Sequence, residues 1–541
     1  MIVDIDDKNC APLHDFLQSL GLEEVAELVE SKRRLVKGSD NKAICDLGRL
    51  KLGHYEAIQQ FAKEQGFRGL QMLATTIINV LTKPDQTKVR TLKALPNVLI
   101  EHFMGQAIDG WVYLEHNGIF LPYLIGKIQY QPENKTSYGT NPAEVNLELL
   151  ANVAAKRKGS EQVGSKKITF LSETIAGVTL PELLRNHGIH VETPELKADY
   201  ERQMALFLDY QPRHSEQFLL SGMTFSGEDL DRMGVAHRLG EETTFRAINE
   251  EAIIQRVFID EIDNEFWSER YPGAFSALPY HPLIYFFNLE THAYAWAHVD
   301  HAKPYVYKPE LREKLVLPED HKTLIDILAS DMEMLSDIVQ GKSGGTCILC
   351  SGAPGLGKTL TAEVYSEVVG RPLYRVHSGQ LGIQSDEVEK NLKMILMRAQ
   401  RWNAVLLIDE ACVYIRRRGN DLEHNAVVAS FLRNLEYFSG LLFMTTNRPD
   451  DVDQAIVSRC VAHIRYVVPD DVTRRKLWQV LGENYKAGLS ETLLDQLCEK
   501  FTTVGGRDIK ELLKLTLKFA KGRNLPVNLE LFTQCAQFRG L

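Results

Sequence analysis

Eight residues, Gly352-Ala353-Pro354-Gly355-Leu356-Gly357-Lys358-Thr359, constrain this chain more than any others. They fit G-x-x-x-x-G-K-[ST] and follow the apolar run Cys347-Ile348-Leu349-Cys350. An apolar strand that breaks into glycines and then opens a helix presents main-chain N–H groups at the helix's positive end. The glycines let those groups approach phosphate oxygens closely. The spacing predicts a nucleotide set made of Gly352, Ala353, Pro354, Gly355, Leu356, Gly357, Lys358, Thr359 and Leu360. Lys358 is expected to reach the β- and γ-phosphates of ATP and Thr359 to hold Mg2+. A plain Gly-rich turn is the alternative, and the strand-loop-helix context argues against it.

A second apolar run, Val405-Leu406-Leu407-Ile408, ends in Asp409-Glu410. Acids at the carboxyl end of such a strand lie where ligands bind in open parallel sheets. Asp409 is expected to organise Mg2+ and Glu410 to polarise the attacking water, which implies hydrolysis as well as binding. A third run, 441–444, leads to Thr445-Thr446-Asn447, and Asn447 could hydrogen-bond the γ-phosphate or the water. Arg459, in Asp453-Gln454-Ala455-Ile456-Val457-Ser458-Arg459, could neutralise transition-state charge in a neighbouring subunit's site.

Around these motifs the pattern alternates strand and helix. Helices are expected at 324–339, from 359, at 386–401 and 425–436, and strands at 346–351, 373–376, 404–408 and 441–445. Short apolar strands between amphipathic helices predict a parallel sheet with helices on both faces. Beyond Pro469 only helices are expected. Residues 1–105 read as helical, with apolar residues recurring at three and four. Residues 106–305 read as an α+β domain that opens with a hairpin around His116-Asn117-Gly118. Residues 303–318 read as an extended linker. The expected divisions are 1–105, 106–305, 306–468 and 469–541.

Composition narrows the function classes. The 541 residues carry a net charge of −10, so bulk attraction to phosphate backbones or anionic membranes is not the default. Eight scattered cysteines give no disulfide framework. No apolar stretch nears the roughly 20 residues of a membrane helix, and the acidic start shows no signal peptide. The expectation is a soluble, cytoplasmic protein with no membrane partner.

Cys347 and Cys350 form C-x-x-C, but on a strand they point to opposite faces and read as core thiols. His292, Tyr294, Trp296, His298 and Asp300 alternate, and two imidazoles with a carboxylate could bind zinc. No second cluster accompanies them, so a sheet face packing on the sheet-and-helix region is favoured. Arg416-Arg417-Arg418 reads as a solvated face, with a nucleic-acid contact as the less favoured reading.

Taken in order, these motifs resemble the AAA family of ring-forming ATPases, over about residues 306–541. The resemblance implies an α/β P-loop core with a C-terminal helical lid, and hexameric rings with ATP between subunits. Gly352 to Thr359 resembles Walker A and Asp409-Glu410 Walker B. Asn447 sits at the sensor-1 place, Arg459 at the arginine-finger place, and Gly505-Gly506-Arg507-Asp508-Ile509 resembles the sensor-2 turn, which adds Arg507 to the nucleotide contacts. The texture around 422–425 and 446–449 is similar to uncharacterised AAA proteins with long N-terminal regions and to mitochondrial inner-membrane members. Where many unfoldases carry an aromatic-x-Gly pore loop, this chain has Gly379-Gln380-Leu381-Gly382-Ile383, without an aromatic. The implied function is an ATP-hydrolysing ring that remodels or disassembles a protein or protein complex chosen by residues 1–305. A nucleic-acid motor or loader and an ATP-gated sensor or defence switch are the alternatives.

Overall fold

The computed structural model describes residues 2–35, 42–46, 50–106, 108–116, 118–136, 139–152, 163–225, 236–238, 244–254, 256, 258–268, 275–330 and 345–541. The first of these carry the expected helices: Asp7–Ser19, Glu23–Leu35, Leu52–Glu64, Arg68–Thr82 and Leu95–Gln106. Arg68–Thr82 shows why they form. Leu70, Leu73, Ala74, Ile77 and Val80 fall on one face and are buried. The helical reading needs one correction. Ile2–Asp6 and Lys42–Asp46 pair as an antiparallel ribbon. Five-residue strands that pair across two helices leave no local period to read.

Leu73, Ile77 and Phe103 share one apolar core with Leu121, Leu124 and Leu147 of an antiparallel sheet, so packing is continuous across residues 105 and 106. That sheet runs in the order Val163–Leu171, Glu144–Asn152, Ile119–Gln131, Trp111–His116, Ile189–Val191. The expected hairpin is present: His116 pairs with Ile119, and Gly118 takes the positive φ, 86°, that the tight turn needs. Asn117 lies outside the described residues.

A seven-stranded antiparallel sheet follows and includes Leu283–Asn288, Tyr294–His298 and Ala302–Pro304. Ala302–Pro304 corrects the linker expectation. It is the sheet's edge strand, pairing with Gln217–Leu220, and an edge tolerates Pro304, which cannot donate to a ladder. Beyond it the chain is anchored: Tyr305 Oη and Lys308 N both donate to the Glu367 carboxylate, at 2.6 and 3.0 Å.

The second half holds a five-stranded sheet in the order Leu373–His377, Val405–Asp409, Leu441–Thr446, Thr346–Gly352, Ala462–Tyr466, every pair parallel. Its three inner strands are buried runs because both faces are covered, while the edge strands Leu373–His377 and Ala462–Tyr466 carry charged and polar side chains. Cys347 and Leu349 enter one core cluster, and Ile348 and Cys350 enter the other. The expected helix at 324–339 is present as Glu319–Ser330, and residues 331–339 lie outside the described residues. Four helices close the chain, Asp471–Asn484, Glu491–Lys500, Gly506–Arg523 and Leu529–Gln537, around Trp478, Leu497 and Phe532. Among the described residues no helix is long and apolar enough to cross a membrane.

The seven-stranded sheet and the parallel sheet meet through aromatic side chains. Phe287 lies 4.9 Å from the Trp402 ring and 6.0 Å from Tyr374. His292, in a left-handed turn and not on the strand, lies 5.2 Å from Tyr374. This is the packing face favoured above. The zinc alternative finds no set: His298 is buried, the Arg202 guanidinium holds Asp300, and among the described residues no group of three metal-ligating side chains converges. Buried Glu250 accepts hydrogen bonds at the same junction from the Arg401 guanidinium and from Trp402 Nε1. Glu250→Ala strips both donors of their acceptor. It is expected to cost about 1.5–3 kcal/mol, read as a lower unfolding midpoint by calorimetry. An unchanged midpoint would mean that the aromatic contacts alone hold the junction.

Candidate functional site

The strand Thr346–Gly352 is buried along its length and delivers the glycine loop to the carboxyl edge of the parallel sheet. Gly352 has φ 145°, and a Cβ there would stand 2.3 Å from the Tyr466 carbonyl oxygen, so no other residue fits. Gly357, at φ 99°, caps the helix Lys358–Val368. Ala353, Pro354 and Leu360 are exposed around the loop, and Leu356 tucks under it beside Gly505. Lys358 is buried, and its Nζ donates to the carbonyls of Gly352 and Ala353, both at 2.8 Å. Burial pulls its pKa below the usual lysine value, against the attraction of Asp409. The cation therefore lies folded along the loop that phosphates would enter.

Thr359 and Asp409, each expected to hold Mg2+, lie side by side: Thr359 Oγ1 donates to Asp409 Oδ1 at 3.0 Å. Two partners were not anticipated. Thr445 Oγ1 donates to the same oxygen at 2.6 Å, and Arg375 donates to Asp409 Oδ2 at 2.6 Å. Burial opposes ionisation of Asp409, but the hydroxyls of Thr445 and Thr359 and the Arg375 guanidinium outweigh it and lower the pKa. A hydroxyl and an ionised carboxylate are hard oxygen donors, the set that fits Mg2+.

Glu410 follows at φ 54°, left-handed backbone that costs a non-glycine residue of order 1–3 kcal/mol. Its N–H donates to Thr445 Oγ1 at 3.0 Å, and its side chain is exposed at the sheet edge. Thr445 thus fixes both acids with one hydroxyl, donating to Asp409 and accepting from Glu410. Thr445→Val keeps the shape and leaves the Glu410 N–H unpaired. It is expected to cost about 1–3 kcal/mol on thermal melting and to slow turnover. A full-rate Thr445→Val enzyme would remove Thr445 from the site.

Asn447 lies exposed, one residue beyond Leu441–Thr446, on the same edge. Arg507 reaches the loop from the helical lid. Its N–H donates to the Gly355 carbonyl at 3.1 Å, and a Cβ on Gly355 would meet its own Cβ at 2.9 Å.

Arg459 stands apart from all of these. It follows Gln454–Val457 at the amino end of the strand Thr346–Gly352, where Val461 N donates to the Cys347 carbonyl. The strand's own length, roughly 20 Å, separates it from the glycine loop. Its guanidinium meets Glu436 at 4.0 Å and the Ala455 carbonyl at 3.3 Å. Of the arginine run, Arg418 pairs with Asp453 while Arg416 and Arg417 are exposed. In the segment at the pore-loop place, Leu381 is core and Ile383 is exposed.

Residues 348–467 match the model of the ATPase family associated with various cellular activities (AAA). Three curated relatives show the scale of the likeness. The Mitochondrial sorting homolog of Caenorhabditis elegans is 29% identical over 180 residues, 31% of this chain and 52% of that protein. Spastin of Naegleria gruberi is 27% identical over 182 residues, 31% of this chain and 35% of that protein. An uncharacterized AAA family ATPase of Sinorhizobium fredii, y4kL, is 31% identical over 160 residues, 26% of this chain and 48% of that protein. The chain thus spans about half, or less, of the curated relatives it matches.

Proposed function

Residues 348–467 being an AAA ATPase domain, we propose that ATP hydrolysis here drives the remodelling or disassembly of a protein or protein complex that residues 1–305 select. Main-chain N–H groups of the glycine loop and Lys358 bind the triphosphate. Thr359 and Asp409 hold Mg2+, which supplies charge neutralisation at the β- and γ-phosphates. Glu410 orients and polarises the water, Asn447 steadies it or the γ-phosphate, and Arg507 reports nucleotide state to the lid. Arg459, remote from its own loop, serves the site of the next protomer in a ring, which we take to be hexameric.

One observation carries this reading. Thr359, Asp409, Glu410 and Thr445 form one hydrogen-bonded set at the sheet's carboxyl edge, and Arg459 lies at the opposite end of the strand Thr346–Gly352. Arg375 is held by Asp409 and Arg507 lies against the glycine loop, so an arginine placed as Arg459 is would serve the site of a neighbour. Mass photometry of the full chain with and without Mg-ATP tests this. A ring mass that appears or sharpens with nucleotide is expected, and monomers at millimolar Mg-ATP would refute the ring. Turnover stimulated by DNA or RNA, with a steep salt dependence, would replace the protein client with a nucleic acid.

A further inference from the structure

We propose that Arg375 is a positioning residue for the metal–nucleotide site: its guanidinium holds the Asp409 carboxylate and passes to Glu363 when a divalent cation takes its place. The inference rests on the reading of this site as one for Mg-ATP. The strand register pairs His377 with Asp409, and side chains two apart on a strand share a face, so Arg375 points to the face of Asp409. Tyr374 points the other way and is clamped in the aromatic junction with Phe287 and Trp402. The strand is therefore fixed, and only the Arg375 side chain is free to move; two-fifths of it is exposed.

Asp409 Oδ1 is already taken by the hydroxyls of Thr359 and Thr445. Oδ2 is the oxygen left to face a metal ion, and Arg375 occupies it at 2.6 Å. A guanidinium and a divalent cation on one carboxylate repel each other. Glu363 offers the way out. It lies four residues after Thr359 on the helix Lys358–Val368, hence on the same helical face, and its Oε1 is 3.5 Å from Arg375 Nη1. Arg375 Nε is buried without an acceptor, so the guanidinium is under-satisfied where it stands, as expected of a group with a second seat.

The test uses the full chain and a fluorescent ATP analogue, titrated once with Mg2+ and once with EDTA. The ratio of the two Kd values is the gain that the metal confers. Arg375→Gln is expected to raise that gain by on the order of tenfold, the size of the lost repulsion at a few ångströms in high dielectric. Glu363→Gln is expected to lower it, because Arg375 then has nowhere to go. In the Arg375→Gln background, Glu363→Gln should change the gain no further. An unchanged or smaller gain in Arg375→Gln would overturn the proposal. So would an equal loss from Glu363→Gln in both backgrounds, since Glu363 would then act on the metal directly. Wild-type protein that binds neither form would instead refute the nucleotide site itself. If Arg375→Gln fails to fold, Glu363→Gln alone decides: a gain equal to or above that of the wild type would overturn the proposal.

Discussion

Glu410→Gln is expected to bind ATP as tightly as the wild type or more so, to hold the ring together, and to turn over about 10²–10⁴-fold more slowly. The size follows from what the substitution leaves alone. Asp409 keeps both hydroxyl donors and Arg375, so the metal-binding side of the site is intact. The amide has the carboxylate's shape, and the left-handed turn at 410 is held by a main-chain bond to Thr445 that does not depend on the side chain. Only the ability to accept a proton from the attacking water is lost. Single-turnover quench experiments separate this from slow product release, since the ATP form should accumulate. Turnover near the wild-type rate would remove Glu410 from the chemistry. If the proposed remodelling holds, the same variant is expected to retain a client protein, because a stalled cycle keeps the bound state populated.

Much of the second half was legible because its physics is local. A parallel strand buried on both faces is a continuous apolar run, and the glycine loop needs fixed spacing, so Gly352–Thr359 and Asp409–Glu410 stand out in sequence. Arg375 and Thr445 were not legible as site residues. Their chemistry depends on which residues of neighbouring strands are paired, and a single sequence gives residue types without register. A trace of the signal exists in hindsight: an arginine between Tyr374 and Val376, both buried in the strand Leu373–His377, needs an acid opposite. In the first half, the ribbon of Ile2–Asp6 with Lys42–Asp46 and the edge strand Ala302–Pro304 are too short for any period to emerge. The shared core of helices and antiparallel sheet is a non-local property that segment-by-segment reading splits at residue 105.

Arg459→Ala is expected to reduce hydrolysis by about 10³-fold or more, the worth of an arginine that neutralises transition-state charge in phosphoryl transfer, while ATP binding persists. Instability does not explain such a loss. The Arg459–Glu436 contact is long, at 4.0 Å, and both side chains are more than a third exposed, so its contribution to folding is below about 1 kcal/mol. The variant should melt with the wild type. Lys358→Ala is also expected to be inactive, because its own loop no longer holds phosphate. Mixed together, the two dead chains should work. A protomer that keeps Lys358 but lacks Arg459 regains a complete site wherever its neighbour keeps Arg459. In randomly mixed rings of equal composition that happens at roughly a quarter of the interfaces, and the recovered rate should approach that fraction. If Arg459 acted within its own protomer, no mixture would recover anything, and the roughly 20 Å between it and its own glycine loop would have to close. Mixing therefore decides a question of distance: either the loop and the arginine meet across two chains, or this fold must bend in a way that the packed strand Thr346–Gly352 does not allow.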